Sequence, residues 1–450
     1  MISEFSSVRS VHCVGLGGIG VSALARFFVH NGRTVSGSDR SFSDVVNALS
    51  SEGVSVRDTE SAHNIDGTID LLIHTPAASF DHPEIAEARR RGIPVLSYPE
   101  ALGLLSEHMY TIAVAGTHGK TTTTAMIAHI LERAGHDPTV IVGSLAGEWG
   151  VGGTRSNFRP GSSSVLVLEA CEYKRSFLNL SPDILVITNI EEDHLDYFTD
   201  LSDIQDAFSE LVFRVPEDGV VVYPDEMDTV RVALRRAKAQ LKRFSSYDGN
   251  DGILSLNGAH NRMNARAAIC ATEQMEVPVK EAYRELTSFS GTWRRFEYKG
   301  ETPLGASVYD DYAHHPRELA ATLAATREAH PGSSVTVVFQ PHLESRLSYF
   351  FDDFIKELSK ADTVIVTPVY KARSEDAIKL SSSEDLVRSL EENGVCAVAV
   401  PHLDDVPVAL KRVKEQDVVL VAGAGDIYTV TPNIVLENVS QQRYTGAMTA

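Results

Sequence analysis

Apolar positions along this 450-residue chain switch repeatedly between two periods. Short unbroken apolar runs suit buried strands. Runs with apolar residues three and four apart suit helices. Val8–Val14 reads as a strand, and Val21, Leu24, Ala25 and Phe28 as one helical face. Thr34–Ser38, Leu71–Pro76 and Ile93–Leu96 read as further strands. Tyr110–Ala115 reads as a buried strand before a helix over Ala125–Ala134, with Ile127, Ile130, Leu131 and Ala134 on one face. Ser164–Glu172 and Asp183–Ile190 follow as strands. The last third alternates most cleanly. Strands at Val308–Asp311, Val335–Phe339, Thr363–Val366 and Val395–Val400 precede helices at Arg317–Arg327, Tyr349–Leu358, Ser383–Leu390 and Val406–Val413, and Val418–Ala422 closes the series. Repeated strand–helix units imply α/β sheets with parallel strands and right-handed crossovers. The segments divide at about 1–107, 108–297 and 298–450.

Polar chemistry gathers at the ends of these strands. Gly116-Thr-His-Gly-Lys-Thr-Thr122 lies between a strand and a helix, the setting of a phosphate loop. Glycine lets backbone N–H groups approach phosphate oxygens, and a helix N-terminus favours negative charge. Lys120 can reach the outer phosphates, and the Thr121 hydroxyl can ligate magnesium. Only two residues separate Gly116 from Gly119-Lys120, where the general pattern has four. Upstream, Gly15-Leu-Gly-Gly-Ile-Gly20 follows the first strand, and Asp39 ends the second. That arrangement suits a dinucleotide, any other nucleotide diphosphate, or a tight helix–strand turn. Glu169, Glu172 and His194 follow two later strands, and Thr121, Glu169 and His194 form a candidate magnesium set. Asn261 and Asn264 sit one helical turn apart and suit an adenine edge. Arg294 and Arg295 offer planar forks for phosphate. A last row comprises Asp310, Asp311, Tyr312, His314 and His315, then His342 and Arg346, then Tyr370 and Arg373, where a substrate would lie.

Charge narrows the partners. With 41 Lys and Arg against 61 Asp and Glu, the net charge is -20. This argues against nucleic acid and anionic membranes as main partners. The four cysteines are scattered without metal spacing, and Cys13 and Cys396 read as core residues. No apolar run reaches membrane-spanning length and no signal peptide is evident, so the expected compartment is the cytoplasm. The tail from about Asn438 reads as frayed.

Taken together, Gly15–Gly20, Ala115–Thr124, Asn189-Ile-Glu-Glu-Asp-His194, His260-Asn-Arg-Met-Asn264, Arg294-Arg-Phe296, Asp310–Pro316 and Phe339-Gln-Pro-His342 resemble the Mur ligase family, ATP-dependent amide-forming enzymes of peptidoglycan synthesis. The resemblance spans nearly the whole chain. It implies a Rossmann-like UDP-binding domain (1–107), a central P-loop ATPase domain (108–297) and a C-terminal Rossmann-like domain (298–450) that receives the amino acid and closes over ATP. The implied partners are UDP-N-acetylmuramate and L-alanine, with ATP and Mg²⁺ as cofactors and a monomer or homodimer as the working form. By the same resemblance, Gly116, Thr117, His118, Gly119, Lys120, Thr121 and Thr122 hold the phosphates. Thr121 and Glu169 hold one magnesium ion and His194 a second. His260, Asn261 and Asn264 lie at the adenine side, with Arg295 and Asp310 entering from the hinge. Gly17, Gly18 and Asp39 meet the uridine diphosphate, and His342 and Arg346 the alanine. Either His315 or His342 can accept the amine proton near pH 7.

Three positions depart from the usual family pattern. Cys171 replaces Asp in the Glu-Ala-Asp-Glu motif, which resembles one branch of the alanine-adding members. Leu343 replaces an Arg. Ser202–Val215 contains no lysine, so a carbamylated lysine is not expected. A tripeptide-adding recycling ligase is the alternative within the family, although Lys174 stands where it carries Asp. An NAD-binding dehydrogenase or sensor is the distant alternative.

Overall fold

A computed structural model describes residues 5–41, 43–147, 149–247, 256–371, 381–413 and 416–436. Arg373 and the tail from Asn438 lie outside the described residues. Three sheets form. The first has five parallel strands in the order Ser55–Arg57, Thr34–Ser38, Ser10–Val14, Leu71–His74, Val95–Ser97. The second has seven, ordered Gln240–Arg243, Val220–Tyr223, Ile184–Ile187, Tyr110–Ala115, Val165–Glu169, Thr139–Ala146, Ser156–Arg159. Only its last pair is antiparallel. The third has six, ordered Glu297–Glu301, Ser307–Asp311, Val418–Ala422, Val335–Phe339, Thr363–Val366, Cys396–Ala399, with the first strand antiparallel. Central strands such as Ile184–Ile187 and Val335–Phe339 are buried throughout. This is why their unbroken apolar runs announced them.

The chain divides into two compact units, Met1–Ser255 with Arg262–Thr292, and Leu256–Asn261 with Trp293–Ala450. Residues on both sides of position 107 thus share one unit. A continuous apolar core links its two sheets, running from Phe5 to Ala239. A buried polar contact reinforces the link. Arg26, on the helix Ile19–His30, donates to Asn157 Oδ1 at 2.6 Å and to Glu52 at 2.8 Å. Asn157 in turn donates to Ser22 Oγ and to the Ile19 carbonyl.

Several elements differ from the pattern reading. The helix after the phosphate loop begins at Lys120, not Ala125, and buries Thr121 to Thr124. Threonine is polar and a modest helix former, so the apolar period missed this turn. The helix expected over Tyr349–Leu358 is two helices, Glu344–Tyr349 and Phe351–Leu358, broken at Phe350. That expected at Val406–Val413 is Val406–Ala409 followed by a 3₁₀ turn. Cys396 is exposed, not core: its strand is the sheet's outer edge, where alternate residues face solvent.

Candidate functional site

The phosphate loop leaves the strand Tyr110–Ala115 at the centre of the second sheet. Gly116 has φ +141°, and a Cβ there would lie 2.0 Å from Thr188 Oγ1. Gly119 has φ +83°, and its Cβ would lie 2.4 Å from Asn264 Oδ1. Both positions therefore demand glycine. The segment after the neighbouring strand clamps the loop. Asn189 Oδ1 accepts from the His118 N–H and Asn189 Nδ2 donates to the His118 carbonyl, each at 2.9 Å. Thr188 Oγ1 donates to the same carbonyl at 2.6 Å. The Glu191 N–H donates to Thr117 Oγ1 at 2.9 Å. The helix Lys120–Arg133 has no side-chain cap and no acidic residue in its first turn. Its N-terminus thus keeps the positive end of the helix dipole available for an anion.

Charged groups surround this N-terminus. Lys120 Nζ donates to the carbonyls of Gly116 (2.5 Å) and Thr117 (3.0 Å), and pairs with Glu172 at 3.0 Å. Burial alone would push the amine's pKa down, but Glu172 beside it carries the value above the ordinary lysine range. Burial likewise pushes Glu172 up, and Lys120 and His194 bring it below the usual carboxylate value. Both partners therefore stay charged. His194 Nε2 lies 3.4 Å from Glu172 Oε1. Glu169 Oε2 accepts from Thr121 Oγ1 and from the Gly143 N–H, both at 2.9 Å.

Thr121 and Glu169 thus meet as expected, while His194 joins the loop through Glu172. Among the described residues, no group of three or more His, Cys, Asp or Glu side chains is placed to hold a metal ion by itself. A hydroxyl beside one carboxylate nonetheless fits magnesium, which draws its remaining ligands from phosphates and water. Asn264 lies against Gly119 of the phosphate loop. Asn261 Nδ2 donates to the Asn257 carbonyl, and His260 packs beside Gly258. From the sequence alone Glu172 is only a strand-end carboxylate; its contact with Lys120 comes from the fold. Asn189 enters the sequence reading only as the start of the Asn189–His194 motif and Gly143 not at all, because their work is done by tertiary contacts.

In the first sheet, Gly15 has φ +76°, and the helix Ile19–His30 starts at Gly18 without a side-chain cap. Asp39 Oδ2 accepts from the Gly17 N–H at 2.8 Å, and Oδ1 from the Ser41 N–H at 3.0 Å. The carboxylate therefore braces the glycine loop from the next strand's end. A Cβ on Gly20 would lie 2.7 Å from the Tyr98 ring, so that glycine serves packing.

In the second unit the row of polar residues separates into two groups. Arg294 is 1 % exposed. It pairs with Asp310 at 3.0 Å and donates to the carbonyls of Gly425 and Gly423. The rings of Trp293, Tyr312 and Tyr428 surround it. The expectation that Arg294 faces phosphate is corrected: its fork is consumed by internal acceptors. Arg295 stands over the Tyr312 ring. His315 Nδ1 accepts from the Arg317 N–H, capping the helix Pro316–Ala329. The second group is less buried. His342 stacks on Tyr370 and lies 5.6 Å from the His314 ring. Arg346 Nη1 lies 3.1 Å from His342 Nδ1. A guanidinium only donates, so His342 Nδ1 is the acceptor and Nε2 carries the proton. Leu343 is buried, with φ +66°.

Asp311 yields a pH prediction. It is buried and accepts from the Phe296 N–H (2.6 Å) and the Ala313 N–H (2.8 Å). Burial raises its pKa from the ordinary 3.8 to about 6, against the pull of Arg295. The folded state therefore holds the proton more tightly than the unfolded chain between these values. Stability falls as pH rises through that window, by about 3 kcal/mol in total. Asp311→Asn removes this slope. The unfolding free energy of the wild type minus that of the variant is expected to drop by that amount between pH 3.5 and 7 in urea titrations. A pH-independent difference would contradict the assignment.

Within one unit, a P-loop helix with a hydroxyl and a carboxylate beside it shares an apolar core with a glycine-loop sheet, the arrangement of a nucleotide-using enzyme. The chain belongs to the Mur ligase family. It matches the family's catalytic domain over residues 10–110, its middle domain over 114–255 and its glutamate ligase domain over 294–425. It is 36% identical to the UDP-N-acetylmuramate--L-alanine ligase of Lachnospira eligens over 96% of this chain and 99% of the relative. Identity to the ligase of the same name from Clostridium novyi is 38%, over 94% of this chain and 96% of that one. The crystal structure of the UDP-N-acetylmuramate-alanine ligase MurC from Thermotoga maritima superposes with a TM-score of 0.77 at 29% identity, covering 94% of this chain and 97% of that one. Among the described residues, no helix is long and apolar enough to cross a membrane.

Proposed function

We propose that this chain is an ATP-dependent ligase that joins L-alanine to the lactyl carboxylate of UDP-N-acetylmuramate, a cytoplasmic step of peptidoglycan synthesis. One observation carries the reading: a glycine-demanding phosphate loop places Lys120 beside the Thr121–Glu169 pair, in a chain similar over nearly its full length to ligases of that specificity. Residues 1–107 take the UDP moiety through Gly17 and Gly18, braced by Asp39. Residues 108–297 bind ATP, and 298–450 receive the amino acid.

A carboxylate resists amines because its carbon is shielded by delocalised charge and oxide is a poor leaving group. Phosphorylation removes both obstacles. A substrate carboxylate oxygen attacks the γ-phosphorus, the bond to ADP breaks, and an acyl phosphate forms. Gly116–Thr122 and Lys120 hold the charge that spreads over the phosphoryl oxygens. Magnesium, held by Thr121 and Glu169, supplies further charge neutralisation when bound, and His194 is the candidate for a second ion. The alanine amine then attacks the acyl carbon, and phosphate leaves. His342 Nε2–H and Arg346 present donors suited to the alanine carboxylate. The amine proton goes to His315 or His342, either of which can accept it near pH 7.

Replacing Glu169 with Gln is expected to raise the magnesium concentration needed for half-maximal rate by about 10-fold or more. An unchanged magnesium titration would remove Glu169 from the ligand set. The reading as a whole is tested by phosphate release from ATP with UDP-N-acetylmuramate and a panel of alanine, glycine, serine and the tripeptide L-Ala-γ-D-Glu-meso-diaminopimelate. Alanine-dependent release is expected. Release only with the tripeptide would favour the recycling reaction, and none with any acceptor would end the reading.

A further inference from the structure

One buried charge beside the phosphate loop has no part in the scheme above. Glu172 is 2 % exposed and follows the strand Val165–Glu169. Lys120 follows the adjacent strand Tyr110–Ala115, and His194 follows Ile184–Ile187, the strand beyond. The Glu172 carboxylate reaches across all three strand ends. Its Oε1 is shared, 3.1 Å from Lys120 Nζ and 3.4 Å from His194 Nε2, while Oε2 lies 3.0 Å from Lys120. It is thus a single group joined both to the phosphate-binding cation and to the histidine on the far side of the loop.

Stability does not explain this placement. Burying a carboxylate costs several kcal/mol before its partners offset it, and an apolar residue often serves as well. Lys120 already has two carbonyl acceptors in its own loop. The backbone just beyond supports a local purpose. Lys174 and Arg175 adopt φ +52° and +56° in succession, an uncommon conformation for residues other than glycine. That turn is tied down at both ends. The Arg175 N–H donates to the Glu172 carbonyl at 2.8 Å, and the Arg175 side chain pairs with Asp203 (2.6 Å) and Glu210 (3.0 Å). A strained, anchored turn therefore fixes where the Glu172 carboxylate stands.

We propose that Glu172 is a positioning residue whose carboxylate sets the separation and aim of Lys120 and His194 around the transferring phosphoryl group. The inference rests on the ligase reading above. Phosphoryl transfer depends almost entirely on placement and electrostatics, so a misaimed lysine slows the transfer more than it weakens nucleotide binding. Glu172→Gln keeps the shape and removes the charge. Glu172→Asp keeps the charge and shortens the reach by one methylene.

The test measures kcat, the KM for ATP and the melting curve of the wild type and both variants, with UDP-N-acetylmuramate and alanine present. Both variants are expected to melt cooperatively and to be fully folded at the assay temperature, with Glu172→Gln melting lower than the wild type because Lys120 then keeps only its two carbonyl acceptors. Their kcat is expected to fall on the order of 10- to 100-fold, as when a partner behind a metal ligand is lost, while the KM for ATP moves less than about 3-fold. Failure of Asp to restore the rate identifies reach, not charge alone, as the requirement. Wild-type kcat in Glu172→Gln would overturn the inference, as would a loss matched by a proportional loss of folded protein, or full rescue by Asp. A wild type that releases no phosphate would instead overturn the ligase reading.

Discussion

Lys120→Ala is expected to reduce phosphate release by about 1,000-fold or more, since one preorganised charge at a phosphoryl-transfer centre is worth factors of that order. The loop that presents the lysine stays in place. Its form depends on Gly116, Gly119 and the clamp from Thr188 and Asn189, which remain when the amine's bonds to the Gly116 and Thr117 carbonyls are lost. Stability will not be untouched, however. The substitution leaves Glu172 buried with its main counter-charge gone, a situation that costs about 3–5 kcal/mol in comparable cases. The double variant Lys120→Ala with Glu172→Gln removes that stranded charge. It is expected to recover most of the melting temperature while remaining inactive. Calorimetry and a coupled phosphate assay on the single and double variants separate the two effects. A single variant with near wild-type turnover would show that the lysine does not serve the phosphates.

The second large effect is one of stability. Arg294→Met is expected to destabilise the C-terminal unit by about 3–5 kcal/mol, through the acceptors it abandons rather than through lost volume. Asp310 is 1 % exposed, and burial already holds its carboxyl above the usual range despite Arg294 beside it. Without the guanidinium, that carboxylate and the carbonyls of Gly423 and Gly425 lose a shared donor. Pairing Arg294→Met with Asp310→Leu should restore much of the loss, because neither charge is then left alone. Urea midpoints of the four proteins in the cycle measure the coupling. A shift below about 0.5 kcal/mol in the Arg294 variant, the scale of an ordinary surface substitution, would contradict a structural role for the pair.

Arg294 also shows where sequence reasoning stops. Two adjacent arginines near a segment boundary look equally suited to phosphate. Only the fold distinguishes them, burying Arg294 beneath two glycine carbonyls and setting Arg295 over Tyr312. Ile184–Ile187 and Val335–Phe339 were readable because their apolar runs are unbroken, whereas the equally apolar Val220–Tyr223 was not read as a strand. Gln240–Arg243 and Glu297–Glu301 are charged edge strands whose pairing comes from neighbours, so no local pattern announced them. At the site, the Gly116–Thr122 loop and the Thr121–Glu169 contact followed from motif and strand context. The histidines did not resolve in the same way. Accepting a helix N–H makes His315 a cap, and a neighbouring guanidinium makes His342 a donor. Both outcomes depend on atoms brought close by folding.

The measurement that bears most directly on the central claim follows oxygen, not rate. UDP-N-acetylmuramate labelled with ¹⁸O in its lactyl carboxylate would be turned over with ATP and alanine, and the released phosphate examined by mass spectrometry. Activation through an acyl phosphate requires one carboxylate oxygen to leave with the phosphate, so one ¹⁸O per phosphate released is predicted. Phosphate free of label beside newly formed amide would contradict it.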